Sequence, residues 1–187
     1  MSQENILTIY SEATPNPESM KFVLNRMILP NDSADYRVKE KAGDSPLAEA
    51  LFELPYVNGV FIMNNFVSIT RVPETEWHEA IPVLKDFIKN WVEAEKPIVN
   101  PKETVSVGDL GSIEGKIRNL LDEYVRPAVE MDGGAIDFKS FEEGVVTVQM
   151  KGSCSGCPSS TMTLKSGIEN LLKRMLPEVK AVEAEAV

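Results

Sequence analysis

Two cysteines are the residues best suited to chemistry in this 187-residue chain, and only two positions separate them. Cys154 and Cys157 lie in the sequence KGSCSGCPSS, in which Gly152 and Gly156 allow tight backbone bends. This Cys-x-x-Cys spacing brings both sulfurs to one side of a turn, close enough to share a metal ion or to form a disulfide. Pro158 suits the first position of a helix, so Cys157 is expected to be its capping residue. Because the unpaired N–H groups at a helix start favour thiolate over thiol, the loop is expected to hold two thiolates.

Several kinds of site use such a pair, and the simplest interpretation is two unreactive thiols that happen to lie close together. A structural zinc site usually takes four Cys or His ligands, and the one further candidate, His78, lies on a predicted surface helix in another part of the chain. A thiol–disulfide oxidoreductase is a stronger alternative, because its Cys-x-x-Cys also caps a helix after a strand. Two features of the sequence count against this class. The βαβ unit that usually precedes the motif is missing. The one proline after Pro158 is Pro177, which lies at a predicted helix end, whereas the oxidoreductase pattern has a proline that leads a strand.

An iron–sulfur cluster is the fourth use of the pair. Such clusters are normally held by four cysteine thiolates, which two identical loops facing each other across a dimer axis would supply. Small thiols or a recipient protein are other sources of the missing ligands. A site shared between chains is easier to dismantle than one enclosed by a single chain. This arrangement therefore indicates a carrier rather than a permanent electron-transfer centre.

The composition is that of an acidic globular protein, with 43% hydrophobic residues, 26% charged residues and a net charge of −10. Both halves of the chain are acidic and would repel a phosphate backbone, so nucleic acid is not expected as a partner. The apolar stretches are far shorter than the roughly 20 residues of a membrane-spanning helix, so no membrane partner is expected. Residues 1–5 lack the features of a secretory signal and of a transit peptide, and we therefore expect a cytoplasmic protein.

The chain is expected to form two small α+β domains joined by a flexible linker. Segment 97–111 contains two prolines and two glycines without a sustained apolar period, which is typical of a linker. It separates a first domain at residues 1–96 from a second at residues 112–187, and each is long enough to bury a core.

In the first domain, runs of β-branched and aromatic residues predict strands, and apolar residues at helical spacing predict helices. Strands are expected at residues 6–10, 21–29, 57–63 and 66–72, and helices after Ser45 and over residues 76–92. Asn64 and Asn65 separate the last two strands, and asparagine tolerates the positive φ angles of a tight hairpin turn.

The second domain is expected in the order α-β-β-α-β. Ser112 caps a helix whose apolar residues keep helical spacing as far as Tyr124, and Pro127 is expected to bend or end this helix. The elements that follow are strands at residues 136–141 and 145–150, a helix after the cysteine loop that stops before Pro177, and a last strand within residues 179–186 that returns by a crossover.

The methionines lie scattered on apolar faces and are expected to fill the two cores. Those after Met1 are Met20, Met27, Met63, Met131, Met150, Met162 and Met175. For Met162, which follows the cysteine loop closely, a second interpretation is that it shields a bound cluster from water and oxygen.

Many positions outside the cysteine motif resemble one known family. Residues 112–187 closely resemble the C-terminal domain of NifU, the Nfu domain, through segments 126–134, 152–160, 163–169 and 177–179. The first domain is similar to the N-terminal domain of Nfu-type proteins through segments 14–22 and 45–48. The resemblance thus covers nearly the whole chain.

This resemblance implies an iron–sulfur cluster scaffold or carrier and not an enzyme. In that family the two cysteines, here Cys154 and Cys157, bind a 4Fe-4S cluster bridged between two subunits, and the cluster passes to apo-proteins. It further implies upstream assembly machinery as the source, apo iron–sulfur proteins as acceptors and a homodimer on cluster binding. The first domain, which contains no cysteine, would serve docking or target selection. Ala135 departs from the pattern, because many relatives carry an acidic residue there, but both ligands are intact.

Overall fold

A computed structural model of the chain describes residues 6–100, 111–154 and 158–186, with the side chains of residues 158–160 and 186 left out of the description. The chain divides into two compact units, Met1–Pro101 and Lys102–Val187. Each unit combines helices with a β-sheet, which confirms the α+β prediction. Among the described residues, none of the helices is long and apolar enough to cross a membrane.

The first unit contains one five-stranded antiparallel sheet and two α-helices. Its elements are β1 (Ile9–Ala13), β2 (Ser19–Leu24), β3 (Leu29–Tyr36), a 3-10 turn (Lys39–Lys41), α1 (Pro46–Phe52), β4 (Val57–Asn64), β5 (Phe66–Arg71) and α2 (Trp77–Glu93). The strand order is β1-β2-β5-β4-β3. One face of the sheet packs against apolar residues of both helices, including Leu47, Leu51, Leu84 and Ile88.

Two local predictions for this unit are confirmed. Ser45 caps α1, because its hydroxyl oxygen accepts a hydrogen bond from the Ala48 N–H at 3.1 Å. Asn64 adopts a φ of 47° at the β4–β5 hairpin, as expected of an asparagine in a tight turn.

The edge strand β3 was not among the predicted elements. Its first half is largely exposed, and Asn31 has a φ of 60° within an irregular part of its pairing with β4. Because an exposed edge strand needs no alternating apolar pattern, its pairing depends on β4 rather than on its own composition.

Residues 97–100, which belong to the predicted linker, are hydrogen-bonded to the first unit. The Trp91 indole N–H donates to the Pro97 carbonyl at 3.2 Å, and the Ser45 hydroxyl donates to the Ile98 carbonyl at 2.6 Å. The Asn100 N–H donates to the Asp44 carbonyl at 2.7 Å. Residues 101–110, the greater part of the predicted linker, lie outside the described residues.

The second unit follows the predicted order, with its first helix divided in three. Its elements are α3 (Ile113–Leu120), a π-helical turn (Leu121–Val125), α4 (Arg126–Met131), β6 (Gly134–Glu142), β7 (Val145–Gly152), α5 (Pro158–Met175) and β8 (Ala181–Ala186). β7 is the central strand of the sheet, antiparallel to β6 and parallel to β8. A core of apolar side chains joins the helices to the sheet, including Ile117, Leu121, Ile136, Val148 and Leu172.

Pro127 was expected to bend or end the first helix, and it does not end it. The chain stays helical as far as Met131, and Pro127 occupies the first turn of α4. A proline offers no N–H to the carbonyl four residues earlier. The wider hydrogen-bond pattern of the preceding π-helical turn lets the helix continue past that missing donor.

Candidate metal centre

The cysteine loop connects β7 to α5, which confirms the predicted sequence of strand, loop and helix. β7 ends at Gly152, Cys154 follows two residues later, and Pro158 is the first residue of α5. Cys157, the second predicted ligand and the predicted helix cap, lies outside the described residues, as do Ser155 and Gly156. The geometry of the site is therefore described around Cys154.

Gly134, at the start of β6, makes the closest approach to Cys154. A Cβ atom placed on Gly134 would lie 2.7 Å from the Cys154 sulfur and 2.7 Å from the Lys151 carbonyl oxygen. Gly134 pairs with Gly152 across the β6–β7 ladder, which brings the start of one strand beside the end of the other. A glycine is required here because there is no room for any side chain.

Three hydrogen bonds hold the backbone around Cys154. The Ser153 hydroxyl donates to the Asp132 carbonyl, and the Ser153 N–H donates to the Gly133 carbonyl at 3.4 Å. On the other side of the loop, the Thr161 hydroxyl in the first turns of α5 donates to the Cys154 carbonyl at 3.1 Å. The turn between α4 and β6, the cysteine loop and the start of α5 are thus joined at Cys154.

Cys154 is only 6% exposed, and its burial determines its protonation. Desolvation first and the negative charge of Asp132 second raise the pKa of the thiol, and the hydrogen bond with the Ser153 side chain lowers it; together they place the pKa at about 11. At neutral pH Cys154 is therefore a thiol, and the expectation of a stabilised thiolate is wrong for this residue in the metal-free protein.

The pairing of Gly134 with Cys154 is the feature of the site that sequence reasoning missed. A glycine pair between a helix and a strand is typical of a helix exit, so the sequence gives no sign of this contact. Gly133 does have the left-handed φ of 78° that such an exit needs. Gly134 has a different function, which depends on the register between β6 and β7.

Ala135, the position where the chain departs from the family pattern, is 3% exposed and pairs with Lys151 across the β6–β7 ladder. The side chain at this buried position beside the loop is therefore small and apolar. Cys154 and the hydrogen bonds around this cysteine are present although residue 135 has no carboxylate.

His78, the candidate zinc ligand, lies in the first unit on α2. Its side chain is 76% exposed and lies 3.9 Å from the Glu79 carboxylate. In the described ranges, His, Cys, Asp and Glu residues form no group of three or more that would hold a metal ion.

The methionines divide between the cores and the surface, so the prediction that they all fill the cores is wrong. Met63 and Met150 are buried at 3% and 1% exposure. Met131 and Met162 are 75% and 70% exposed, and they stand directly beside Asp132 and Thr161 in the chain. Asp132 and Thr161, which each take part in a hydrogen bond near Cys154, are therefore each next to an exposed methionine.

Comparison with known proteins places the two units in one family. Residues 117–183 match the family model of the NifU-like domain, and residues 9–95 match that of the scaffold protein Nfu/NifU N-terminal domain. The human protein named NFU1 iron-sulfur cluster scaffold homolog, mitochondrial, is 38% identical over 181 residues, which are 94% of this chain and 70% of the human protein. The chain belongs to the Nfu/NifU-like family. The resemblance inferred from the sequence is confirmed.

Two further comparisons describe how this Nfu/NifU-like chain relates to others. NifU-like protein 5, mitochondrial, from Arabidopsis thaliana is 35% identical over 193 residues, covering 99% of this chain and 70% of the plant protein. The solution NMR structure of a NifU-like protein from Saccharomyces cerevisiae is 19% identical with a TM-score of 0.48. It covers 55% of this chain and 92% of the yeast chain.

The expectation of a cytoplasmic location is contradicted by these relatives. The human protein and two Arabidopsis thaliana relatives are all named as mitochondrial, which points to mitochondria rather than the cytoplasm. The composition of residues 1–5 had suggested the cytoplasm, and those few residues do not determine the compartment.

Proposed function

We propose that this Nfu/NifU-like protein is an iron–sulfur cluster scaffold that carries a 4Fe-4S cluster and transfers it to apo-proteins. The family membership and the names of its relatives support the scaffold role. The cluster is cargo, received from upstream assembly machinery and delivered to acceptors, so no turnover of a small substrate is involved.

The observation that carries this proposal is the position of Cys154 on a short loop between β7 and α5. Gly134 closes over one side of its sulfur, and hydrogen bonds from Ser153 and Thr161 hold the loop on both sides. In this proposal, Cys154 and Cys157 are the two cluster ligands that each chain supplies. Iron binding requires the thiolate, so loading displaces the proton that the buried Cys154 keeps in the metal-free protein.

Two ligands per chain lead to a shared cluster. Iron–sulfur clusters take four thiolates, and the chain contains two cysteines. Two copies related by a two-fold axis supply the full set, so cluster binding is expected to produce a homodimer. During transfer, the cysteines of an acceptor protein replace those of the carrier one at a time.

The alternative function, a thiol–disulfide oxidoreductase, is less well supported at Cys154. An attacking cysteine in such enzymes is an accessible residue with a lowered pKa. Cys154 is buried and its pKa is raised to about 11, which is the opposite condition.

We further propose that the chain works as a cluster-binding domain at residues 112–187 and a docking domain at residues 1–96, joined by a linker at residues 97–111. Each of the two units has its own buried core. If the first domain selects acceptors, its removal should change transfer rates to some apo-proteins and not to others. Equal rates to every acceptor would rule out that role.

Anaerobic reconstitution with iron and sulfide tests the cluster assignment. The reconstituted protein should contain about four irons per dimer, and its mass should double on loading. Cys154→Ser and Cys157→Ser should each abolish both effects. Ser166→Ala is the matched control, because Ser166 lies on the exposed side of α5 and bonds only to the Met162 carbonyl in the contacts described for it. Unchanged iron content in Cys154→Ser would disprove the assignment.

A further inference from the structure

A half-open groove in the second unit lies between the helical segment α3–α4 and the edge strand β6. It has a volume of about 360 Å³. Its polar and aromatic lining comes from Arg118, Asp122, Arg126, Asp137, Phe138 and Gln149, and none of these residues belongs to the cysteine loop. The proposed cluster function therefore leaves this groove without a role.

Arg118 is a cation without a carboxylate partner in the groove. Its guanidinium lies 4.8 Å from the centre of the Phe138 ring, in a cation–π contact. Across the residues that the structure describes, Arg118 makes no ion pair with Asp or Glu. The contact with the ring leaves the N–H groups of the guanidinium available to an incoming acceptor.

Arg126 is only partly satisfied by the groove's own carboxylates. One terminal nitrogen lies 2.7 Å from Asp122, but Asp137 is 3.9 Å away and is contacted more closely by Lys151, at 2.5 Å. The Arg126 Nε atom is shielded from solvent and has no hydrogen-bond partner among the described residues. An unpaired buried donor of this kind is uncommon in folded proteins and calls for an explanation.

The local backbone and the local charge both distinguish the groove from the rest of the unit. The π-helical turn Leu121–Val125 sets the spacing of Arg118, Asp122 and Arg126, and such turns are frequent at functional sites. The charged side chains that line the groove are Arg118 and Arg126 against Asp122 and Asp137, a local charge of 2 − 2 = 0. The whole chain has a net charge of −10, so the lining of the groove is less acidic than the chain as a whole.

We propose that the groove binds a carboxylate side chain from an acidic segment of a partner protein. Two neighbouring arginines offer the planar donor pairs that carboxylates match, and Gln149 adds an amide. A carboxylate entering between Arg118 and Arg126 gives Arg118 its missing partner and, after a small side-chain shift, engages the fork of Arg126. The groove is open on one side, and a small free carboxylate would leave that side exposed to solvent. A protein segment that carries the carboxylate would cover it.

The test uses the full-length protein labelled with nitrogen-15. The protein is free of metal, so the outcome does not depend on cluster binding. The probe is the peptide acetyl-(Glu)4-amide, and its binding is followed by NMR. About 0.1 M salt is present, at which the Debye length is about 10 Å, so the charges of distant acidic groups are screened. The side-chain Nε–H signals of Arg118 and Arg126 and the backbone amides of Asp137 and Gln149 should move and saturate. The uncharged peptide acetyl-(Gln)4-amide should leave them in place.

A pair of matched variants makes the assignment specific. Arg118→Gln should weaken peptide binding by about fivefold, as expected for the loss of one charge-assisted contact. Lys116→Gln removes the same charge from an exposed position on the same helix and should have no comparable effect.

Three results with the peptides and the variants would overturn the proposal. They are an absence of shifts in the groove, equal weakening by the two variants, and equal shifts with the glutamine peptide. Succinate serves as the small-carboxylate probe. If it saturates the same signals at a lower concentration than the peptide, the groove takes a free carboxylate and not a protein segment.

Discussion

Gly134 and Cys154 are in such close contact that a single methyl group on the glycine would lie 2.7 Å from the cysteine sulfur. The same methyl group would also lie 2.7 Å from the Lys151 carbonyl oxygen, which belongs to the backbone and has little freedom to move. The start of β6 therefore determines where the sulfur of Cys154 lies. Several expectations depend on this contact and on the polar groups around it.

Gly134→Ala should destabilise the second unit and displace Cys154. Overpacking of this kind typically costs about 1–3 kcal/mol. Urea denaturation followed by far-UV circular dichroism would measure the loss. Both tryptophans, Trp77 and Trp91, lie in the first unit, so their fluorescence follows the unfolding of that unit separately.

Gly167→Ala is the control for that substitution. A Cβ on Gly167, within α5, would meet no atom within 4 Å. An alanine in a helix is favoured over glycine by about 0.5–1 kcal/mol, so this variant should be slightly more stable than the natural protein. If Gly134→Ala were as stable as Gly167→Ala, the close contact with Cys154 would not exist in solution.

Cys154 should react slowly with iodoacetamide in the folded protein. Cys157→Ser leaves Cys154 as the only thiol. Burial raises the pKa of Cys154 from its ordinary value of 9.0 to about 11. Only the thiolate reacts, and the pKa of the folded state is about two units higher than that of the unfolded state. The alkylation rate of the folded variant at pH 8 should therefore be about a hundredfold lower than that of the same variant unfolded in urea. Comparable rates in the two states would contradict the burial of this thiol.

The same raised pKa has a consequence for stability at high pH. The folded state favours the neutral thiol, so the contribution of this residue is fully present below the unfolded value of about 9. It is lost as the pH rises toward the folded value of about 11. The free energy of unfolding should decrease more steeply between these values in Cys157→Ser than in the double variant that also carries Cys154→Ser.

Glu169 should make the second unit sensitive to acid. Its carboxylate contacts the Lys173 ammonium at 2.5 Å and accepts a hydrogen bond from the Val182 N–H at 3.1 Å, which joins α5 to β8. These two contacts, the lysine first, lower the pKa of Glu169 below its ordinary value of 4.5. The stabilising contribution is therefore present above about 4.5 and lost as the pH falls through the lowered pKa.

Unfolding of Glu169→Gln measured from pH 7 to pH 3 tests this expectation. The variant should lose less stability on acidification than the natural protein, because its side chain has no charge to lose. Glu178→Gln is the control, since Glu178 is exposed and makes no ion pair in the described part of the chain. Identical acid profiles for the natural protein and Glu169→Gln would show that the contact contributes nothing.

Local sequence was sufficient to predict helix caps and tight turns in both units. Ser45 and Ser112 cap α1 and α3 through their hydroxyl oxygens, as their positions before the helices indicated. The reversal between β6 and β7 occurs at Glu143 and Gly144, both with positive φ. Interactions between neighbours in the chain determine caps and turns, so these features are readable from the sequence.

Elements that depend on distant partners were missed or altered. β3 is held by its pairing with β4, and the helix around Pro127 continues because a π-helical turn and the core of the second unit support it. In both places tertiary packing outweighs the local preference of the residues.

The sequence by itself determined the family, the α+β class and the position of the cysteine pair between a strand and a helix, because motifs and periodicity are local properties. Only the tertiary structure decided that Cys154 is a buried thiol against Gly134 rather than a thiolate. That outcome depends on the register of β6 against β7 and on the water excluded between them. Neither quantity is encoded in the spacing of two cysteines.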